Sequence, residues 1–512
     1  MSEDAAMHVG SLSPDGRHRW DGVTWSPVAP TPALPHLPAW ASFRITARAS
    51  WWVVAAALIA GLVADQAFRV GAFGLGASLA LAFLALALVF VARAERLESR
   101  LLAGAAAVFA AWLSMRASPW LVWPDLAAGL ILVGTAASFA RRGTLLNIGM
   151  AESAARGFHA MLHWVAGAAW AVRPITAMRA PFASAAPVAR GLLIATPVAI
   201  VVAALLASAD PVFASFLTIN LDFGQLLADA FFVLVGSLVM AGLLRSAAAE
   251  PLNRVDGPMW RLGATEGLVV LAVLDAIFAA FALAQAVAAT GAAGDTLRAA
   301  GVTYADYARS GFFQLLWVAG ITLVVLILFS RITALNQAST KRAFVLLAET
   351  AIVLTLLIVA VASMRLSLYE SAYGFTMLRL YSHLFAGWIA VVFLLLAADV
   401  GGVFRRRRWF VGATAITALA MLMVLNFANP EALVARFNVD RAASTGKLDP
   451  QYLAGLSGDA VSTLLASRPQ LQPVQFSQIK NAVCSGPMTY APNPAAFNLA
   501  DAEAASARRE TC

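Results

Sequence analysis

Arg379 and His383 stand four residues apart inside an apolar stretch, so on a helix they share one face. Asp275 sits in Val273-Leu274-Asp275-Ala276-Ile277, an acid flanked only by apolar residues. Asp229 follows Gln225 by four residues in another apolar stretch, and Gln285 and Gln314 mark the ends of two more. Ionisable groups in such surroundings have three chemical uses. They carry a proton or ion through an apolar phase, act as general acid or base on a substrate held there, or bind a polar ligand. They also have a bland use, which is to pair and hold helices together. Asp229 or Asp275 with Arg379 or His383 would satisfy that structural alternative. Asp275 is the candidate proton carrier of a coupled transporter, and Glu349 could extend its path.

The gaps next to these stretches add to the polar set. One holds Ser208-Ala209-Asp210-Pro211-Val212-Phe213, a second Tyr304, Asp306, Tyr307 and Arg309, and a third Arg365, Tyr369, Glu370 and Tyr373. At one level they would form a vestibule for a polar ligand or headgroup. Its residues would be Asp210, Asp229, Asp275, Tyr304, Asp306, Tyr307, Arg309, Gln314, Glu370, Tyr373, Arg379 and His383. An enzyme on lipid-linked substrates would take Asp210, Asp306 or His383 as acid or base. Other chemistries find no support. There is no phosphate-binding Gly-Lys-Ser/Thr loop, no His-Glu-x-x-His and no Gly-x-Ser-x-Gly. His159 and His163 have the spacing of two metal ligands but no third. No metal or cofactor is expected, and the chain reads as non-enzymatic.

The elements that must position these residues follow from composition. The chain has 512 residues, 61% hydrophobic and 12% charged, with mean hydropathy +0.76. Soluble domains carry about 25% charge. The apolar runs are continuous and rich in Ala and Leu, whereas barrel strands alternate. An all-α polytopic transmembrane bundle is therefore expected. About eleven spans are predicted at roughly 50–66, 71–92, 101–116, 119–140, 189–207, 223–244, 265–288, 311–330, 343–363, 375–398 and 409–427. Arginines and lysines crowd alternate gaps and are sparse in the others, which predicts a cytoplasmic N-terminus and an extracytoplasmic C-terminus. The net charge of +8 thus reflects membrane orientation, and nucleic acid is not an expected partner. The run Arg405 to Arg408 reads as a cytoplasmic anchor suited to anionic lipid headgroups.

Outside the spans, residues 1–50 read as a cytoplasmic leader. In it two Asp-Gly turn signals, Asp15-Gly16 and Asp21-Gly22, stand among short polar and aromatic stretches, the second suiting a tight hairpin turn, and a Pro-rich linker follows. Residues 51–140 hold the first four spans and 189–427 a seven-helix core. Between them, 141–188 carries an amphipathic helix over 151–172, with Phe158, Leu162, Val165 and Ala169 on one side and Arg156, His159 and His163 on the other. That helix suits an interfacial position, with a further membrane span as the alternative. Asn429-Pro430-Glu431, Asp449-Pro450 and Ser457-Gly458-Asp459 are helix starts, so 428–486 is expected to be a small helical extracytoplasmic subdomain and 487–512 a flexible tail. Cys484 and Cys512 lie in this outer part, and whether they pair is open.

Four ordered motifs run through the second half of the chain: Ser208 to Phe213, Tyr304-Ala305-Asp306-Tyr307-Ala308-Arg309-Ser310-Gly311-Phe312-Phe313-Gln314-Leu315, Tyr373-Gly374-Phe375-Thr376-Met377-Leu378-Arg379-Leu380-Tyr381, and Asn429-Pro430-Glu431 with Asn438, Arg441, Leu448-Asp449 and Tyr452-Leu453. Together they resemble a bacterial integral-membrane family, domain of unknown function 4173, over about residues 185–468. The leader, in turn, resembles a short Trp-containing module found before membrane segments. The resemblance implies a bacterial inner-membrane protein without an established activity. Its motifs coincide with the polar layer reached by depth alone.

Overall fold

The computed structural model describes residues 9, 11, 13, 18–27, 48–69, 73–92, 94–177, 195, 202, 205–206, 223–250, 252, 261–289, 304–403, 408–490 and 492–512, with the backbone alone over 304–310 and at a few helix ends. Residues 1–43 and 44–512 are two compact units.

In the first unit, β1 (His18–Trp20) and β2 (Trp25–Pro27) pair antiparallel, with Trp20 opposite Trp25. Gly22 takes φ +104, a conformation open to glycine. The Asp21 carboxylate accepts from the backbone N–H of Thr24 at 2.7 Å and of Val23 at 2.8 Å, and from the hydroxyls of Thr24 and Ser26. Those two backbone N–H groups, Thr24 first, lower its pKa to about 2. A depressed carboxylate stabilises the fold above its unfolded pKa and loses that contribution as pH falls through the folded value. The Val23 and Thr24 amide shifts are expected to stay constant from neutral pH down to about pH 4 and to move with a midpoint of about 2. A midpoint near the ordinary aspartate value would mean that the turn is not formed.

The second unit is helical. Before residue 429 it comprises α1 (Trp51–Phe68), α2 (Leu75–Phe90), α3 (Leu97–Met115), α4 (Pro119–Ser138), α5 (Met150–Ala171), α6 (Phe223–Ala248), α7 (Ala264–Ala289), α8 (Tyr304–Ile332), α9 (Ala338–Tyr373), α10 (Met377–Gly401) and α11 (Phe410–Ala428). Among the described residues nine helices are long and apolar enough to cross a membrane, and Leu75–Phe90 is a shorter apolar one. These ten coincide with ten of the predicted spans; the segment at 189–207 lies outside the described residues except for 195, 202, 205 and 206.

Small residues set the closest packing. A side chain at Gly61 of α1 would meet Ser237 Oγ and Val233 O of α6, and one at Gly167 of α5 would meet the backbone of Ala241 and Gly242. This is the close approach by which helices associate in lipid. One apolar core joins α1–α4, the end of α5 and α6 through Leu88, Phe109, Leu113, Leu132 and Leu244. A second joins α7–α10 through Leu271, Leu326, Phe344, Ile352 and Phe393, with Phe410 of α11 at its edge. Leu58, Leu62, Leu227, Leu283, Trp317, Val353 and Leu394 stay exposed, the outward apolar surface that a bilayer solvates.

The loop placement of two residue sets is corrected. Arg365, Tyr369, Glu370 and Tyr373 belong to no loop; α9 runs 36 residues and stops only at Gly374, whose φ is +86. At 1.5 Å per residue that helix is about 54 Å long, enough to carry its last turns past the hydrocarbon. Tyr304, Asp306, Tyr307 and Arg309 likewise form the first turns of α8. The two-sidedness of α5 is present, with its polar side turned toward protein. Glu152, Arg156 and His163 are buried while Phe158, Trp164 and Val165 are exposed. Arg156 reaches Glu152 at 2.9 Å and Ser138 O at 2.9 Å, and Arg245 Nη1 donates to His163 Nδ1 at 2.5 Å. The polar side is satisfied by protein, which leaves the apolar side to face outward.

A third core holds five further helices: α12 (Pro430–Thr445), α13 (Pro450–Ala454), α14 (Gly458–Ala466), α15 (Pro473–Cys484) and α16 (Leu499–Thr511). Asn429, Asp449, Ser457 and Asn498 accept backbone N–H bonds as N-caps, and Pro430, Pro450 and Pro473 fill first helical positions. The tail expected to be loose is α16, capped by Asn498, buried along Ala500, Ala504 and Ala505, and tied by a Cys484–Cys512 disulfide with Cα atoms 5.8 Å apart. The sequence hid this because its apolar side is made of alanines.

Candidate functional site

Polar side chains gather in three places. The first is the corner between α9 and α10. Gly374 lets the chain reverse there, and Thr376 caps α10. Glu370, 5% exposed, bonds His383 Nε2 at 3.0 Å through Oε2, while Oε1 is buried with no partner. Arg379 donates to Gly374 O and lies 4.3 Å over the Tyr369 ring, which itself packs against Tyr373 at 4.8 Å. Arg365 donates to Gln285 Oε1 at 3.2 Å one turn deeper. The corner is braced from the C-terminal helices. Asn438 exchanges hydrogen bonds with Phe375 N and O, and Tyr452 Oη accepts from Met377 N at 2.7 Å. Burial pushes the Tyr452 hydroxyl pKa up.

The second lies between α1 and α6. Arg69 Nη2 bridges Asp65 at 2.8 Å and Asp229 at 2.9 Å, and each acid keeps one buried oxygen without a donor.

The third anchors the C-terminal helices to the membrane bundle. Asp459 accepts from Ala117 N at 2.7 Å and Ser118 N at 2.8 Å, and pairs with Arg116 at 3.2 Å. Arg116 also donates to Asn426 O at 2.6 and 2.9 Å. Ser118 Oγ donates to Glu431, which accepts from Ser457 N as well. Asn498 Nδ2 donates to Leu113 O and Arg116 O. Asn426 Nδ2 reaches inward to Asp125. Burial raises the Asp501 pKa, with Asp459 adding to the shift.

The predicted site residues are thus divided. Glu370, Tyr373, Arg379 and His383 share one corner. Asp229 belongs with Asp65 and Arg69, so the expected pairing of Asp229 or Asp275 with Arg379 or His383 is not formed. Asp275 stands alone in α7, with both oxygens buried and no partner among the described residues. Gln314 is exposed. Tyr304, Asp306, Tyr307 and Arg309 are described by backbone alone, and Asp210 and Arg405 to Arg407 lie outside the described residues. Arg408 N donates to Asn147 Oδ1 at 2.9 Å. Among the described residues no three or more His, Cys, Asp or Glu converge as for a metal.

Sequence reasoning missed Arg116, Asp125, Asn426, Glu431, Asp459 and Asn498 as a network. Asn429-Pro430-Glu431 was legible only as a helix cap, and nothing local signals that Glu431 reaches Ser118.

These features define a multi-pass integral membrane protein of helical type. The chain belongs to the family described as a domain of unknown function (DUF4153), matched over residues 103–466. The match begins within α3 and contains both Arg116 and Asp459; it does not show the similarity to domain of unknown function 4173. Comparison with curated proteins and with solved structures finds no match.

Asp459→Ala removes the acceptor of two backbone donors and one guanidinium, and is expected to cost about 3–5 kcal/mol. The readout is a lowered unfolding midpoint with new protease cuts after residue 429. Unchanged protease resistance would mean that the anchor does not hold the C-terminal helices.

Proposed function

We propose that the protein lies in a bacterial plasma membrane, N-terminus in the cytoplasm and C-terminal helices outside. The distribution of basic residues supports this orientation. So does the Cys484–Cys512 disulfide, which suits an oxidising space. We propose further that it is a non-enzymatic binding protein, and that the α9–α10 corner receives a polar ligand or lipid headgroup. The observation that carries this reading is the buried Glu370 Oε1, left without a donor beside Arg379 and His383. An unfilled acceptor on a carboxylate that meets His383, at a corner that also holds Arg379, suits a zwitterionic headgroup. Its ammonium or hydroxyl would donate to Glu370, and its phosphate would accept from Arg379 and His383. The aromatic pair Tyr369 and Tyr373 suits the membrane–water boundary at which a headgroup lies.

In nanodiscs containing labelled phosphatidylethanolamine, Glu370→Gln is expected to weaken retention at least about tenfold, equivalent to about 1.4 kcal/mol. Equal retention by Glu370→Gln and His383→Ala would sink the headgroup reading.

A second reading, proton- or cation-coupled transport, is favoured by Asp275, whose two oxygens lie buried and unpartnered within α7. Such an acid suits proton carriage. On this reading Asp275→Asn inserts normally but abolishes ion-coupled uptake in vesicles. Coupled uptake that survives the substitution rules Asp275 out as the carrier.

A further inference from the structure

Beneath the anchor, Asp125 of α4 and Asn426 of α11 meet across the bundle, both at 0% exposure. Asn426 Nδ2 donates to Asp125 Oδ1 at 2.7 Å and to Leu422 O at 3.1 Å. Both amide hydrogens are therefore used. Turning the amide over would set its oxygen against those two acceptors, so the donors fix its orientation. Two atoms are left over. Asp125 Oδ2 and Asn426 Oδ1 are buried and have no hydrogen-bond partner.

An ionised carboxylate in that position would need a cation. Among the described residues none pairs with Asp125. The nearby guanidinium of Arg116 spends its bonds on Asn426 O and Asp459. An uncompensated buried charge costs several kcal/mol. A bound metal would need about six oxygen ligands for the common hard cations, and the pair offers two free ones.

One added proton satisfies both leftover atoms. A carboxyl facing a carboxamide can close a ring of two hydrogen bonds. The amide N–H donates to the acid carbonyl, and the acid hydroxyl donates to the amide oxygen. We infer that Asp125 is a proton-binding site, occupied at neutral pH, in which Oδ2–H donates to Asn426 Oδ1 and the two residues form a neutral acid–amide pair. The proton is held directly under the Asn426 carbonyl that receives Arg116. It is thereby part of the fastening of the C-terminal helices, and it is independent of the headgroup reading at Glu370.

The test is infrared difference spectroscopy of the full chain in nanodiscs at neutral pH. Asp125→Asn preserves the shape, because its amide can donate to Asn426 Oδ1 and accept from Nδ2. The expected result is loss of one protonated-carboxyl C=O band relative to wild type. A second variant, Asn426→Ala, keeps the acid and removes its partner, and should move that same band to higher wavenumber. Identical spectra for wild type and Asp125→Asn in this region would overturn the proposal. So would an Asp125-dependent carboxylate band that shifts when Na+ replaces K+, which would mark a cation instead.

Discussion

Asp459 takes the N–H groups of Ala117 and Ser118 on one oxygen and the guanidinium of Arg116 on the other. These donors lie at the start of α4, where a helix leaves N–H groups unbonded and carries partial positive charge. Ordinarily a cap from the same chain segment serves them. Here the acceptor comes from α14, a helix of the C-terminal group. The carboxylate is completely buried, so its interactions are not shared with water. Both sides are therefore committed. The α3–α4 turn needs Asp459, and among the described residues Arg116 is the cation that Asp459 pairs with.

The same logic repeats around the C-terminal helices. Asn438 and Tyr452 satisfy backbone groups at the α9–α10 corner, and Phe497 O accepts from Leu75 N at the start of α2. Lipid cannot bond a helix end, and irregular backbone at a membrane boundary must find protein or water. The C-terminal helices supply those partners to turns from both apolar cores, the one built on α1–α4 and α6 and the one built on α7–α10. They link the cores at the end of the bundle where the Glu370 corner lies. The candidate site is thus framed by membrane helices but braced by residues outside them.

The spans were legible because a run of apolar residues long enough to cross lipid has few alternative uses. Ten helices lie where hydropathy put them. The helix caps at Asn429, Asp449 and Ser457 were legible for a similar reason, since capping is local chemistry. Partner choice was not. Depth alone made Asp229 and Arg379 plausible neighbours, but Asp229 faces α1 and meets Arg69. Nothing in the order of residues says which helices are adjacent. The two sides of α5 were legible for the same reason as the spans, but the partners that cover its polar side were not. In water the apolar side turns inward, whereas beside lipid the polar side does so when Ser138 and Arg245 offer it partners. Arg116 and Asp459 stand 343 residues apart, beyond the reach of any spacing argument.

Asn498 joins carbonyls that lie 382 and 385 residues earlier in the chain. At about 5–20 residues per second, synthesis of that stretch takes roughly 20 to 75 seconds. The opening hairpins are thus threaded into the bilayer well before their fastener exists. Through that interval they rely on contacts of their own, such as Gly129 against Leu81. Newly made chains must therefore pass through a stage in which the early hairpins are inserted yet unclasped, a window open to membrane chaperones and proteases.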